Sequence, residues 1–191
     1  MPRKPDPTLK PAIVAKVAQH LQDTKLEDVS VRSLGRVLGT SAYPIVYHFG
    51  TREALIEAVV DHLARSTTAA TLDPEADDIT LAEYLVAVFG GLEDPERSLA
   101  ARLTFELGSV ESLDGRDREH RFHRAQVEAI TAWCTAHGYG ERDGERAARG
   151  AVLAARGAQW GTIMDREHTD IDAALRAVAD RLVSGADFAA V

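Results

Sequence analysis

The chain has 191 residues, 45% of them hydrophobic and 27% charged, with a formal net charge of −8. That composition excludes a wholly disordered or fibrous protein and suffices for a sizeable core. The longest stretch free of Asp, Glu, Lys and Arg, Val37–Thr51, is interrupted by Gly39, Pro44, His48 and Gly50. A membrane span needs about 20 consecutive apolar residues, so no membrane partner is expected. Nothing apolar follows Met1-Pro2-Arg3-Lys4-Pro5-Asp6, so no secretory signal is expected, and the single Cys134 has no internal disulfide partner. Both features predict a reducing, cytoplasmic setting.

Charge is distributed unevenly. Residues 1–52 hold eight bases against four acids, or +4, whereas the remaining 139 hold 14 against 26, or −12. A basic head can meet phosphates while an acidic body stays soluble, although the same split also reads as chance imbalance on a solvated surface.

Taken in chain order, nearly every periodic segment predicts helix. Residues 1–8, rich in Pro and charge, read as an arm. Thr8–Gln22 carries Ile13, Val17 and Leu21 in one stripe, and Pro11 fixes the start because it fits only a first turn. Ser30 caps a second helix with Val31, Leu34, Val37 and Leu38 on one face, stopped by Gly39. Ser41 caps a short helix, Ala42–His48, and Thr51 caps a longer one through about Arg65. Ser66–Asp78 reads as a linker or loop. Five more helices follow at Leu81–Leu92, Pro95–Leu107, Asp117–His137, Gly144–Met164 and Ile171–Val183, with breaks at Gly108–Gly115 and Gly138–Gly144. The fold expected is therefore all-α, with about nine helices: a three-helix N-terminal head at 1–50 and a helical-bundle body at 51–191.

Within the head, Gly35 stands mid-helix, where glycine costs roughly 1 kcal/mol against alanine. Close approach of the next helix would offset that cost. Two short helices joined by a tight Gly-containing turn make a helix-turn-helix, whose second helix fits a DNA major groove. The run Val29-Ser30-Val31-Arg32-Ser33-Leu34-Gly35-Arg36-Val37-Leu38-Gly39-Thr40-Ser41, followed by Ile45-Val46-Tyr47-His48-Phe49-Gly50-Thr51-Arg52-Glu53-Ala54-Leu55, resembles the DNA-binding head of TetR-family transcriptional regulators over about residues 9–60. The resemblance implies a homodimer, an inducer pocket in the body and repression of nearby genes. Two positions depart from the family pattern: Pro44 stands where Thr is frequent, and Val46 where a phosphate-contacting Tyr is usual.

The expected partner is a double-stranded DNA operator. Ser30, Arg32 and Ser33 lie at the start of the first motif helix, where Arg32 suits a base edge or a phosphate. Ser41, Ala42, Tyr43 and Pro44 open the recognition helix, with Ala42 and Tyr43 placed for base contacts. Tyr47, His48, Thr51 and Arg52 suit phosphates. Tyr47 also reads as an aromatic at the core's edge, Phe49 as an anchor of the head, and Arg36 as a solvated residue.

In the body, Ala147, Ala151, Ala154, Ala158 and Gly161 form a small-residue seam, and Ile171, Leu175, Val178 and Leu182 repeat the alternation in the last helix. By the resemblance these two helices form a dimer interface; by pattern alone they equally fit packing within one chain. Tyr84, Phe89, Phe105, Phe122, Trp133, Trp160 and Met164 are candidate lining for a pocket holding an unidentified small-molecule effector, or simple core. His120 and His123 share a helical face but lack a nameable third ligand, so no metal and no cofactor are expected. The leading expectation is a dimeric repressor released from its operator by an effector. The alternatives are a constitutive DNA-binding protein and an α-helical enzyme, for which no phosphate loop or nucleophile elbow is present.

Overall fold

The computed structural model describes residues 8–67, 70–186 and 188. Among them are nine α-helices and no strand, as the hydrophobic periodicity predicts. The helices are α1 (Leu9–Gln22), α2 (Val31–Val37), α3 (Tyr43–Phe49), α4 (Arg52–Thr67), α5 (Asp78–Phe89), α6 (Pro95–Asp114), α7 (Arg118–Ala136), α8 (Glu141–Met164) and α9 (Ile171–Ser184). Apart from Thr8, the expected N-terminal arm lies outside the described residues, as do Thr68 and Ala69 of the expected linker. The chain divides into two compact units, 1–66 and 67–191. The first reaches past residue 50, where composition and motif place the boundary, because α4 belongs to it and buries Leu55, Ile56, Val59 and Leu63.

In the first unit, α1 packs on α2 and α2 on α3. Ile13, Val14, Val17 and Leu21 of α1, Leu34 of α2 and Ile45 of α3 are buried, joined by Val29 from the connection. Ser30 and Ser33 form a reciprocal capping box: Ser30 Oγ accepts from the Ser33 N–H at 3.1 Å, and Ser33 Oγ accepts from the Ser30 N–H at 2.8 Å. Gly35 faces the turn into α3. A Cβ there would lie 3.2 Å from Thr40 O, Ser41 C and Ala42 N, all backbone. The close approach anticipated for this glycine is real, and its target is the turn itself.

The second unit is a layered helix bundle. Neighbouring contacts run α7 to α8, α5 to α9, α8 to α9 and α6 to α7. Its core gathers Leu81, Leu85 and Phe89 of α5, Val127, Ile130 and Trp133 of α7, Ala148, Ala151, Val152 and Ala155 of α8, and the inward face of α9.

Helix α6 does not break at Gly108 but continues to Asp114, ending at Gly115 with φ +67°. A Cβ on Gly108 would sit 3.7 Å from Glu119 Cβ, an ordinary contact, so this glycine lies inside α6 facing α7 rather than stopping the helix. The extra turns of α6 also place buried Glu111 at the start of α7. There its carboxylate accepts from the N–H groups of Glu119 (2.8 Å) and His120 (2.9 Å), a cap that Asp117 does not supply. Burial pushes the Glu111 carboxyl up. The N–H groups of Glu119, His120 and Arg118 and the Arg116 charge outweigh this and hold it below the usual carboxylate range.

A depressed folded pKa contributes stability above the unfolded value that is lost as pH falls through the folded one. Glu111→Ala is expected to cost about 1–2 kcal/mol at neutral pH, the size of a lost cap. The deficit relative to the unsubstituted protein should shrink in acid. Urea titrations of both proteins at neutral and acidic pH check this; a deficit that grows in acid would exclude the cap.

Candidate nucleic-acid interface

The second motif helix begins one residue later than its sequence suggests, at Tyr43, with Ala42 at the N-cap position. Ser41 still contributes, its Oγ accepting from the Tyr43 N–H at 3.3 Å. Pro44 lies in the first turn, where a missing N–H breaks no intrahelical bond. Ile45 alone is fully buried and anchors α3. The opposite face is open: Tyr43 is 70% exposed, Val46 50% and Tyr47 61%. The two tyrosine rings stack at 5.8 Å with an interplanar angle of 24°, and His48 meets Tyr47 edge-on at 5.0 Å. Half-buried Phe49 anchors the end of the helix, with Lys10 Nζ 5.3 Å above its ring.

Arg32 and Arg36 on α2 are exposed, and Thr51 caps α4 by accepting from the Ala54 N–H at 3.1 Å. The hydroxyls of Ser30, Ser33, Ser41 and Thr51 thus all serve helix ends. Arg52 departs furthest from expectation. Its Nε donates to Val29 O at 2.6 Å, its Nη2 donates to Leu26 O, and its Nη1 faces Glu53 at 3.5 Å. The guanidinium is a strut between α4 and the loop ahead of α2.

Arg52→Ala is therefore expected to lower the stability of the first unit by about 2 kcal/mol, since charged hydrogen bonds contribute about 1.5–3 kcal/mol each and this side chain is partly solvated. Thermal unfolding measures the loss. Unchanged stability with weaker binding to nucleic acid would return Arg52 to the phosphate role.

In the second unit, Tyr84, Phe89 and Trp133 are core residues, while Trp160 and Met164 are 50% and 62% exposed on α8. Phe105 meets Trp160 edge-on at 5.3 Å. Of the seven pocket candidates three are core, two are exposed, and Phe105 and Phe122 are half-buried.

Another constellation stands out. The Arg156 guanidinium lies between the rings of Phe89 (5.1 Å) and Phe122 (5.6 Å) and donates to Gln159 Oε1 (2.8 Å) and Gln126 Oε1 (3.1 Å). Gln159 Nε2 in turn donates to Phe89 O at 2.8 Å. Burial lowers the Arg156 pKa to about 10 against the opposing charge of Glu119. Burial likewise raises the Glu119 carboxyl above its ordinary range, opposed by Arg118 and Arg156. Among the described residues, Glu119 Oε2 and Gln126 Nε2 are buried without a hydrogen-bond partner. Arg156 lies two residues from Ala154 and Ala158 of the small-residue seam, which drew attention to the alanines instead.

His120 and His123 open onto a cleft with Arg124, Glu128, Glu141 and Glu145. No three of His, Cys, Asp or Glu among the described residues are grouped to hold a metal. Cys134 is buried, which pushes its thiol up to about 11. No helix among the described residues is long and apolar enough to cross a membrane.

The helices expected at a dimer interface pack within the chain, the second of the two readings their pattern allows. Ile171, Leu175, Val178 and Leu182 are buried against α5 and α8 of the same chain, and Ala151 is fully buried. Ala147, Ala154, Ala158 and Gly161 are half-buried. The outer stripe of α8 is instead Leu153 (66% exposed), Gly157, Trp160 and Met164.

No family model and no curated protein matches this sequence. Among solved structures, the chain is similar to a transcriptional regulator from Rhodococcus sp. Rha1, with a TM-score of 0.71 at 19% identity, over 92% of this chain and 96% of that one. The fold is shared with that regulator.

Proposed function

We propose that this chain is a DNA-binding transcriptional regulator of the TetR type, acting as a homodimer and released from its operator by a small molecule held in the second unit. The observation that carries the reading is α3: a short helix, pinned by Ile45 and offering Tyr43, Val46 and Tyr47 outward beside the exposed cations Arg32 and Arg36. A helix so presented fits a major groove, and the head's positive balance favours the phosphates flanking it. The fold it shares with a Rhodococcus transcriptional regulator supports the same reading.

A single head contacts one half-site, so operator recognition favours a pair. The exposed stripe Leu153, Gly157, Trp160 and Met164 on α8 supports self-association there, in place of the inward residues of α9. Gly157 has open space where a Cβ would stand, leaving room for close helix approach. Effector control is supported by the buried Arg156 cluster, which leaves Glu119 Oε2 and Gln126 Nε2 with hydrogen-bonding capacity for a ligand. A few kcal/mol of differential binding suffices to shift a conformational equilibrium.

Selection of bound duplexes from a random pool, followed by titration across salt concentrations, tests the reading. The expected result is an enriched two-fold-symmetric sequence bound with a steep salt dependence. Failure to enrich any sequence would refute it. Sedimentation of Leu153→Glu should show monomer where the unsubstituted protein is dimeric.

A further inference from the structure

Resting on the DNA-binding reading, we infer that α3 recognises its operator mainly through thymine methyl groups, met by Ala42, Tyr43, Val46 and Tyr47, with Arg32 left to make the polar base contact beside them. The helix Tyr43–Phe49 contains no Arg, Lys, Asn, Gln, Asp or Glu. Those are the residues whose forked or charged groups read guanine, adenine and cytosine edges in the major groove. The hydroxyls of Ser30, Ser33, Ser41 and Thr51 are held at helix ends, accepting from backbone N–H groups. The helix therefore meets its surroundings chiefly with carbon: half-buried Ala42, exposed Val46 and two stacked rings, all on one face at spacings of one and four residues.

The thymine C5-methyl is the one carbon substituent among the base edges of that groove. The neighbourhood argues for a polyanion over an apolar protein as the occupant. From Val29 to Arg52 the sequence contains no acidic residue, and Arg32 and Arg36 are exposed beside the patch. An apolar face on a segment that carries cations and no acid complements a groove whose walls are phosphate and whose floor carries methyl groups.

The Val46 position matters most. Its side chain is branched at Cβ, stiff in a helix, and without a polar group to offer a phosphate. Half exposed, it forms part of no core that its replacement would disturb.

The test begins with the duplex enriched by the full-length protein. Each thymine is replaced in turn by deoxyuridine, which keeps every hydrogen-bonding group and removes only the methyl. Binding is expected to weaken about fourfold for each contacted methyl, the equivalent of one buried carbon group. The Val46→Ala protein should lose that penalty at one or more thymines, whereas Arg32→Ala should leave it intact. An enriched duplex whose affinity survives deoxyuridine at every thymine would overturn this inference while leaving the DNA-binding reading in place. The same holds if the penalty persists in both Val46→Ala and Tyr43→Ala. If no duplex is enriched at all, the DNA-binding reading fails and this inference falls with it; capture of an apolar protein segment by the same face would then define the patch.

Discussion

Replacing Gly35 with valine is expected to cost the first unit about 2–3 kcal/mol and to abolish sequence-specific DNA binding, while the second unit keeps its stability. A Cβ at this position would stand 3.2 Å from three backbone atoms of the turn Thr40–Ala42. Backbone cannot swing aside as a flexible side chain can, and overpacking of this kind costs about 1–3 kcal/mol. Valine adds two branches to that Cβ, which drives the cost toward the upper end despite its better helix propensity than glycine. The turn also accepts little rearrangement, because the Thr40 N–H is bonded to Gly35 O at 2.9 Å. Displacing the turn moves α3, and with it Tyr43, Val46 and Tyr47. Hydrogen exchange read by mass spectrometry separates the outcomes. Faster exchange confined to α1–α3, with lost operator binding, is the expected pattern. Unchanged protection in α2 and α3, with operator binding retained, would show that Gly35 is not the hinge of the motif.

The largest stability effect is expected in the second unit, from Trp133→Ala, at about 3–5 kcal/mol. Trp133 is fully buried, its ring stacks on His137 at 4.0 Å with an interplanar angle of 16°, and its Nε1–H donates to Ala76 O at 2.7 Å. It therefore fills the core and also ties the segment ahead of α5 to α7. Trp133→Phe separates these roles. It retains most of the apolar volume but leaves the Ala76 carbonyl without its donor, a loss of about 1–3 kcal/mol. Denaturant unfolding followed by circular dichroism should rank the unsubstituted protein above Trp133→Phe, and that above Trp133→Ala. Equal losses for the two variants would mean that the hydrogen bond dominates, and no loss for Trp133→Phe that it contributes nothing.

Sequence by itself determined what depends on near neighbours. The all-α class follows from apolar spacing, which repeats within each segment. The caps at Ser30 and Thr51 are formed with residues three positions ahead, and the stop at Gly39 has the positive φ, +67°, that glycine tolerates best. Gly35 was legible for a similar reason, since a glycine in a helix needs compensation and the turn that supplies it follows at once.

The tertiary structure decided whatever depends on partners far along the chain. Arg52 looks like a surface cation in its own segment, but the carbonyls that hold it lie 23 and 26 residues earlier. Gly108 carries the local sign of a break, yet a helix tolerates one glycine at about 1 kcal/mol, and α6 continues through it to Asp114 facing Glu119 of α7. The stripe Ile171, Leu175, Val178 and Leu182 shows that one face of α9 must be covered, and only the fold shows that α5 and α8 cover it. Periodicity records which side of a helix avoids water. It carries no information about the surface that replaces the water, because burial is non-directional and any apolar face of suitable shape satisfies it.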